Sequence, residues 1–267
     1  MKEKLVSSLL ERLSDDLLYG QWHIPEGTST RSFVVDDCFP AEAAAEIYAA
    51  FPKDAVGFTR TESFKEHKSI ANAMGKFPQI LSDAIFAFQD HAVISRISRI
   101  TNISNLEPDP LFYAGGLSMM FKGDFLNPHI DNSHDRDRKR YRRLNLLYYA
   151  SPNWTLESGG NFELWDERGR TPKQIVSAAN RLVVMETTKT SLHSVNPVRV
   201  VAPRCCLSNY FFSKKSPTGS DYYHVTSFLA RPEQPIRRLY SHVDNAARQF
   251  VASKLGVSRG RNKLNVP

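Results

Sequence analysis

Cysteine is scarce in this chain of 267 residues, which contains only Cys38 and the adjacent pair Cys205 and Cys206. A small, odd number of cysteines excludes a disulfide framework and indicates a reducing compartment. We therefore predict a cytoplasmic protein. Its fold must depend on burial of apolar side chains, and the sequence is 41% hydrophobic, which is enough for one sizeable core.

Long apolar runs are also missing, so the sequence predicts no membrane span. The first 20 residues do not read as a signal peptide, because acidic residues interrupt them and no long apolar centre follows. Leucines recur there every fourth residue, which favours an amphipathic helix packed on the protein. The formal net charge of +7 is modest, and we interpret it first as a contribution to solubility.

Turn residues separate several short apolar runs between residues 101 and 215, and this pattern predicts an all-β sandwich or barrel. We expect a mainly β protein with flanking helices, built on a double-stranded β-helix (jelly-roll, cupin-like) core. Residues 1–100 are predicted to form a helical N-terminal support, including a helix that begins near Pro40 and one or two helices over 78–100. Residues 216–267 are predicted to form a helical C-terminal extension with a basic tail. No repeat or low-complexity linker interrupts the chain, so we predict a single domain over 1–267.

One short motif has the character of a metal site. His129 and Asp131 stand two residues apart in strand-like sequence, so their side chains are expected on the same face. Two histidines and one carboxylate with open opposite positions are typical of non-haem Fe(II) oxygenases. His193, which follows an apolar run, is the candidate for the second histidine, although taken alone it reads more readily as an ordinary polar residue beside a turn.

His-x-Asp is a weak signal by itself, since the chain carries a second copy at His242 and Asp244. That copy lies in sequence with helical spacing, where residues two apart face different ways. No histidine follows it. We interpret the second copy as a surface or packing feature.

Arg204 stands at the head of an apolar strand, eleven residues after His193. A cation that faces the interior of a barrel is costly unless an anion pairs with it, and the planar guanidinium suits a carboxylate. A 2-oxoglutarate co-substrate would supply that carboxylate. Tyr149 could add a hydrogen bond to it, and Tyr148, which points the other way, is its rival for this role.

Taken together, the order and spacing of these pieces resemble the catalytic core of the Fe(II)/2-oxoglutarate-dependent dioxygenases, in their prolyl-4-hydroxylase-like branch. The matching pieces are His129-Ile-Asp131-Asn, the strand from Arg142 to Tyr149, Asn153-Trp154, Ser158-Gly-Gly160, Arg181-Leu-Val-Val, His193-Ser-Val-Asn-Pro197-Val and Arg204.

The resemblance implies that His129, Asp131 and His193 bind Fe(II), and that Arg204 with Tyr149 binds 2-oxoglutarate. It further implies a single catalytic domain that uses O2 to hydroxylate an unactivated C–H bond, with release of succinate and CO2. Asp131 argues against the halogenases of the superfamily, which lack this carboxylate. Phe121 stands where the oxygen-sensing prolyl hydroxylases carry a tyrosine, and this departure argues against their substrate.

The substrate is left open by the sequence: a peptidyl proline, an amino acid or a biosynthetic intermediate. Candidate substrate contacts are Asn145, Tyr148, Arg143 and His224, each of which has a purely structural alternative. Residues 134–143 carry six Arg or Lys against two Asp. We interpret this run as a solvated loop, with the alternative that it attracts an anionic small molecule or peptide to the mouth of the site.

Two alternatives remain at this point. One is a jelly-roll interaction module that binds metal without catalysis. The other is a nucleic-acid demethylase of the same superfamily, although nucleic acid is not the expected partner because no aromatic residues interleave with the basic run. The sequence does not indicate an oligomeric state.

Overall fold

The computed structural model describes residues 1–14, 17–113 and 115–239, together with positions 241 and 245. Its helices lie almost entirely in the first hundred residues. They are α1 (Lys2–Arg12), α2 (Leu17–Gln21), α3 (Ala41–Ala49), α4 (Gln79–Ala87) and α5 (His91–Thr101).

Local sequence explains where these helices begin and end. In α1, Leu5 and Leu9 are buried on one face, as the leucine spacing predicts. The stretch 78–100 forms two helices, because the Asp90 carboxylate accepts a 3.0 Å hydrogen bond from the Ala92 amide and so caps a new helix, α5. Asn102, in the left-handed conformation, ends it.

Thirteen strands of the described residues join in a single antiparallel sheet. They are β1 (Ser32–Val35), β2 (Thr59–Glu62), β3 (Glu66–Ala71), β4 (Glu107–Pro108), β5 (Gly116–Met120), β6 (Phe125–Ile130), β7 (Tyr141–Tyr149), β8 (Phe162–Leu164), β9 (Lys173–Ile175), β10 (Arg181–Glu186), β11 (His193–Val195), β12 (Arg204–Ser213) and β13 (Ser227–Phe228). The order along the sheet is β1-β10-β7-β12-β5-β3-β6-β11-β8-β9, and the short strands β2, β4 and β13 pair with β3, β12 and β6.

The sheet curls so that its two halves face each other. Tyr149 of β7 packs in one buried cluster with Phe162 and Leu164 of β8, although these strands are not hydrogen-bonded neighbours. The predicted mainly β fold with flanking helices and a jelly-roll core is confirmed. The metal-site residues lie in the concave space between the two halves.

The main hydrophobic core covers the outer face of the larger half of the sheet. Helices α1, α4 and α5 pack there against residues of β7, β10 and β12, among them Leu144, Leu146 and Leu182. Residues on the opposite face of β7 therefore point into the concave space, because strand side chains alternate.

The N-terminal part, predicted as a helical support, also contributes strands β2 and β3 to the sheet. These strands are polar. Lys68 and Glu66 of β3 form an ion pair at 2.9 Å, and β2 is largely exposed. Apolar alternation, the main sequence signal of a strand, is therefore weak there, yet β3 lies inside the sheet between β5 and β6.

In the C-terminal part, residues 214–226 have no helix or strand, β13 follows, and residues 235–239 are helical. The rest of the predicted helical extension, including His242 and Asp244, lies outside the described residues. Within the described part, we find no helix with the length and hydropathy needed to cross a membrane.

Candidate metal centre and co-substrate pocket

The structure brings His129, Asp131 and His193 together from distant positions in the chain. His129 lies near the end of β6, Asp131 follows that strand, and His193 begins β11 directly opposite His129 in the register. Their potential ligand atoms all lie within 4.8 Å of one another. Nε2 of His129 is 3.6 Å from one Asp131 oxygen and Nε2 of His193 is 3.7 Å from the other, so one cation could contact all three groups.

Both imidazole rings are held in the orientation that a metal requires. Nδ1 of His129 is 3.0 Å from the carbonyl oxygen of Asn127, and Nδ1 of His193 is 2.9 Å from that of Ser191. A proton on each Nδ1 satisfies these contacts and leaves each Nε2 lone pair free for a metal. Burial, reinforced by the neighbouring His129, lowers the pKa of His193 to about 3, so His193 is neutral at physiological pH.

Asp131 is held as a carboxylate by its surroundings. Burial alone would raise its pKa, but the positive charge of Arg142 and the contacts with both histidines hold that pKa well below its usual value. Nη1 of Arg142 lies 3.1 Å from Oδ2 of Asp131. The Asn145 side-chain amide donates to the same oxygen at 2.7 Å. Ionised Asp131 is therefore ready to act as a ligand without loss of a proton.

A break in strand alternation puts Arg142 in contact with Asp131. In the pairing of β7 with β12, Leu144 faces Phe211 and Arg142 faces Phe212, so Arg143 is an extra residue at this point. Such a bulge redirects the side chains around it. Arg142 consequently shares the concave face with Asn145, which strict alternation from Asn145 would not predict.

The second predicted pocket is built around Arg204, the first residue of β12. Arg204 is 3% exposed, and its Nε donates to Ser177 Oγ at 3.1 Å. Its guanidinium carbon lies 4.7 Å from the centroid of the Tyr149 ring. Within the described part of the chain, no carboxylate pairs with Arg204, and the buried Tyr149 hydroxyl has no hydrogen-bond partner. A buried cation beside an orphaned hydroxyl donor fits a carboxylate ligand.

Gly160 provides the room for the Arg204 side chain. It adopts φ +61°, and a Cβ atom there would lie 2.8 Å from Cδ of Arg204 and 2.9 Å from Val198 Cγ2. The Gly-Gly pair noted in the sequence therefore has a packing role next to the candidate co-substrate pocket.

The remaining predicted site residues lie in different places. Tyr148 is wholly buried in the main core between Phe39 and Phe88, and its hydroxyl donates to Asn180 at 3.1 Å. Its alternation with Tyr149 turns it away from the metal group, so the structure offers it no contact with a substrate there. Asn145 touches Asp131, which makes it a support of the candidate ligand.

His224 lies against the segment that follows Asp131, and Arg143 is the neighbour in sequence of Arg142, which contacts Asp131. Both the carbonyl and the amide of His224 bond to Ser133, two residues beyond Asp131. Burial lowers the pKa of His224 to about 4. The bulge residue Arg143 is 9% exposed, and its Nη1 donates to the carbonyl of Lys215 at 3.2 Å.

The sequence did not predict the segment around Phe228 that covers the metal group, which we call the Phe228 cover. Phe228 of β13 stacks on the His129 ring, with 5.2 Å between centroids and 19° between planes. Arg231 fixes this segment through an ion pair of 2.6 Å with the buried Glu163. The aromatic run before Phe228 was visible in the sequence, but nothing local showed that it returns to His129.

Residues 115–212 match the family model described as the 2OG-Fe(II) oxygenase superfamily. This segment of the chain is similar to the superfamily in sequence. The match runs from β5 to β12 and includes the His-Asp-His group and Arg204. Fe(II), 2-oxoglutarate and O2, predicted as cofactors, are those of the superfamily, and His129, Asp131 and His193 provide a place for the metal. Comparison with curated protein sequences gives no match.

Several solved structures share the fold at low sequence identity. A prolyl-4-hydroxylase from Pseudomonas putida has 16% identity and a TM-score of 0.53, with 78% of this chain and 98% of that chain covered. A prolyl 4-hydroxylase from Phytophthora capsici has 17% identity, a TM-score of 0.55, and coverage of 92% and 77%. A Trichoplax adhaerens prolyl hydroxylase, solved with a peptide fragment of hypoxia inducible factor, has 17% identity, a TM-score of 0.50, and coverage of 83% and 94%. The predicted resemblance to the prolyl-4-hydroxylase-like branch is thus confirmed at the level of the fold.

Proposed function

We propose that this oxygenase is a hydroxylase that converts an unactivated C–H bond of a peptide or small molecule to C–OH, consuming O2 and 2-oxoglutarate and releasing succinate and CO2. One observation carries the proposal: beside the His-Asp-His group, the buried Arg204 and the Tyr149 hydroxyl form a carboxylate site without a carboxylate from the described residues. A metal-binding interaction module would have no use for such a site.

The metal would be held by Nε2 of His129, Nε2 of His193 and a carboxylate oxygen of Asp131. When bound, Fe(II) with 2-oxoglutarate supplies the activation of O2 and the oxidising power for the C–H bond. The protein's contribution is position. Asn145 and Arg142 fix the Asp131 carboxylate, and the two backbone carbonyls fix the histidine rings.

The far carboxylate of 2-oxoglutarate would pair with the guanidinium of Arg204 and accept a hydrogen bond from the Tyr149 hydroxyl. Leu147 and Phe162 pack around this space and would exclude water from it. Leu207 of β12 belongs to the main core, opposite Tyr148 in the register, because strand alternation from Arg204 and Cys206 turns it away from this space.

The direct test is product formation. Purified protein with Fe(II), O2 and 2-oxoglutarate should release succinate when presented with a substrate panel that contains peptidyl proline, free amino acids and small carboxylic acids. His129→Ala and Arg204→Met should each lower succinate release at least tenfold at fixed 2-oxoglutarate. Equal release by both variants and the parent protein would overturn the proposal. The cytoplasmic location and the single-domain boundaries remain predictions.

A further inference from the structure

A group of cationic and aromatic side chains lies at the rim of the metal group, on the side of the Phe228 cover. Lys189 belongs to the loop between β10 and β11, and Tyr222 and His224 belong to the segment that precedes β13. Arg143 belongs to the bulge in β7. We call these four residues the rim cluster. His224 places the cluster beside the metal group, because its amide donates to the Ser133 hydroxyl at 2.9 Å and its carbonyl accepts from the Ser133 amide at 2.9 Å, two residues beyond Asp131.

Lys189 is an exposed cation held over an aromatic ring. Its Nζ lies 4.3 Å from the centroid of the Tyr222 ring. No acidic side chain forms an ion pair with it anywhere in the structure as described. A cation above a ring face gains some attraction from the ring, but its charge is not neutralised and is available to an anion.

Arg143 is a buried cation with incomplete compensation. Its Nη1 donates to the carbonyl of Lys215 at 3.2 Å, whereas its Nε has no hydrogen-bond partner among the described residues. The nearest carboxylate, Glu186, is 3.9 Å away and is shared with Arg31, which lies closer at 3.2 Å. Burial lowers the pKa of Arg143 despite the charge of Glu186. One carboxylate therefore serves two guanidinium groups.

Tyr222 and the loop after β10 bring these two cations close together. Lys189 lies over the face of the Tyr222 ring, and the amide of Thr187, two residues before Lys189, donates a 2.9 Å hydrogen bond to the carbonyl of Arg143. Burial raises the pKa of the Tyr222 hydroxyl to about 12, and the charge of Arg143 opposes that effect. Two neighbouring cations, with the Glu186 carboxylate shared between Arg143 and Arg31, leave an excess of positive charge at the edge of a concave site. Such an arrangement favours a bound oxyanion.

We propose that Arg143 and Lys189 bind an oxyanion, either a carboxylate or a phosphate ester, of the primary substrate. This inference rests on the proposed function, because it gives a substrate class to the same site. It distinguishes a second anion position from that of Arg204, which lies at the opposite end of β7, beside Tyr149. The substrate would thus be a small molecule or peptide with a negative charge near the carbon that is oxidised.

The test uses two simple anions, acetate and inorganic phosphate, with acetamide as the neutral control for acetate. Binding is measured by ligand-observed NMR on anaerobic Fe(II)-loaded protein saturated with 2-oxoglutarate, so that the Arg204 position is occupied. The variants are Arg143→Met and Lys189→Met, and Lys139→Met is the matched control, since it removes one exposed positive charge from the basic loop. Lys189 is exposed, so its substitution does not endanger folding.

We expect at least one of the two anions to bind the parent protein and Lys139→Met equally, and acetamide not to bind. Arg143→Met and Lys189→Met should each weaken that binding at least tenfold. Preference for acetate would identify a carboxylate substrate, and preference for phosphate a phosphate ester. Absence of anion binding, or equal binding by all four proteins, would overturn the inference.

Two further titrations separate this inference from the proposed function. One measures the binding of 2-oxoglutarate itself, and the other repeats the anion titration without 2-oxoglutarate. If the parent protein fails to bind 2-oxoglutarate, the proposed function fails, whereas anion binding that depends on Arg143 and Lys189 would still support the rim cluster as a binding site. If 2-oxoglutarate binds normally and the anions do not, only the rim cluster inference fails.

Discussion

The side-chain amide of Asn145 donates a 2.7 Å hydrogen bond to Oδ2 of Asp131. The amide is itself oriented, because its oxygen lies 3.3 Å from the hydroxyl of Thr187 on the neighbouring chain segment. Asp131, a candidate metal ligand, is thus held by a neutral donor from β7, a strand that is not hydrogen-bonded to β6, and this contact orients the carboxylate.

Replacement of that donor should weaken metal binding. We expect Asn145→Leu to lower the affinity for Fe(II) or Co(II) about 10- to 100-fold, the usual effect of losing such a support. Anaerobic calorimetric titration measures it. Asn209→Leu is the matched control, since Asn209 is equally buried but contacts Gln89 and Ile85 at the main core. Comparable losses in both variants would show a general effect of destabilisation.

The buried Tyr149 hydroxyl has no hydrogen-bond partner among the described residues. Its removal should therefore raise the stability of the protein but lower its affinity for 2-oxoglutarate. Tyr149→Phe removes a buried unsatisfied group, so the protein without 2-oxoglutarate should gain stability, by about 1 kcal/mol or more. The same variant should bind 2-oxoglutarate about tenfold more weakly, because a hydrogen bond to a charged group is lost. Thermal unfolding and a 2-oxoglutarate titration measure the two effects.

Tyr148→Phe is the control for that variant. It loses the hydrogen bond to Asn180 in the main core, so it should reduce stability by about 1 kcal/mol and leave 2-oxoglutarate affinity unchanged. If Tyr148→Phe, and not Tyr149→Phe, affected 2-oxoglutarate binding, the assignment of the two tyrosines would be reversed.

Gly160 offers a test of the Arg204 pocket that leaves both of its polar groups in place. Gly160→Ala should displace the Arg204 side chain and lower 2-oxoglutarate affinity at least tenfold, in addition to a backbone strain of about 1–2 kcal/mol. Gly27→Ala is the control, since Gly27 also has a positive φ, +75°, but has open space around it. Gly27→Ala should therefore show the strain alone, as a lower unfolding temperature with normal affinity.

The ion pair between Arg231 and Glu163 should stabilise the cover over His129. Arg231→Met leaves the Glu163 carboxylate, which is 1% exposed, without its cation, and we expect a loss of about 3 kcal/mol or more in the free energy of unfolding. The double variant Glu163→Gln with Arg231→Met should recover most of this loss, because the buried charge is then gone. Denaturant unfolding of the two variants checks the difference, and equal instability would contradict the role of the charge.

The parts of the site that follow simple strand alternation could be predicted from sequence. His129 and Asp131 share a face, His193 and Arg204 begin strands, and Tyr149 points inward while Tyr148 points outward. These positions depend on the two-residue period of a strand, which is readable locally.

The remaining parts depend on departures from that period or on contacts between distant segments. Arg142 reaches Asp131 because of the bulge at Arg143, and a bulge leaves no clear sequence signal. Phe228 reaches His129 across about a hundred residues of chain, through the pairing of β13 with β6. The polar strand β3 has no apolar alternation that would predict it, because its partners β5 and β6 place it in the sheet.

The central claim is that one site holds both Fe(II) and 2-oxoglutarate through His129, Asp131, His193 and Arg204. The most direct measurement is an anaerobic titration of the Fe(II)-loaded protein with 2-oxoglutarate, followed through the weak visible charge-transfer absorption of the complex. We predict a band that saturates in the parent protein, is absent in His129→Ala, and in Arg204→Met requires at least tenfold more 2-oxoglutarate. No band in the parent protein, or the same titration curve in all three proteins, would contradict this claim.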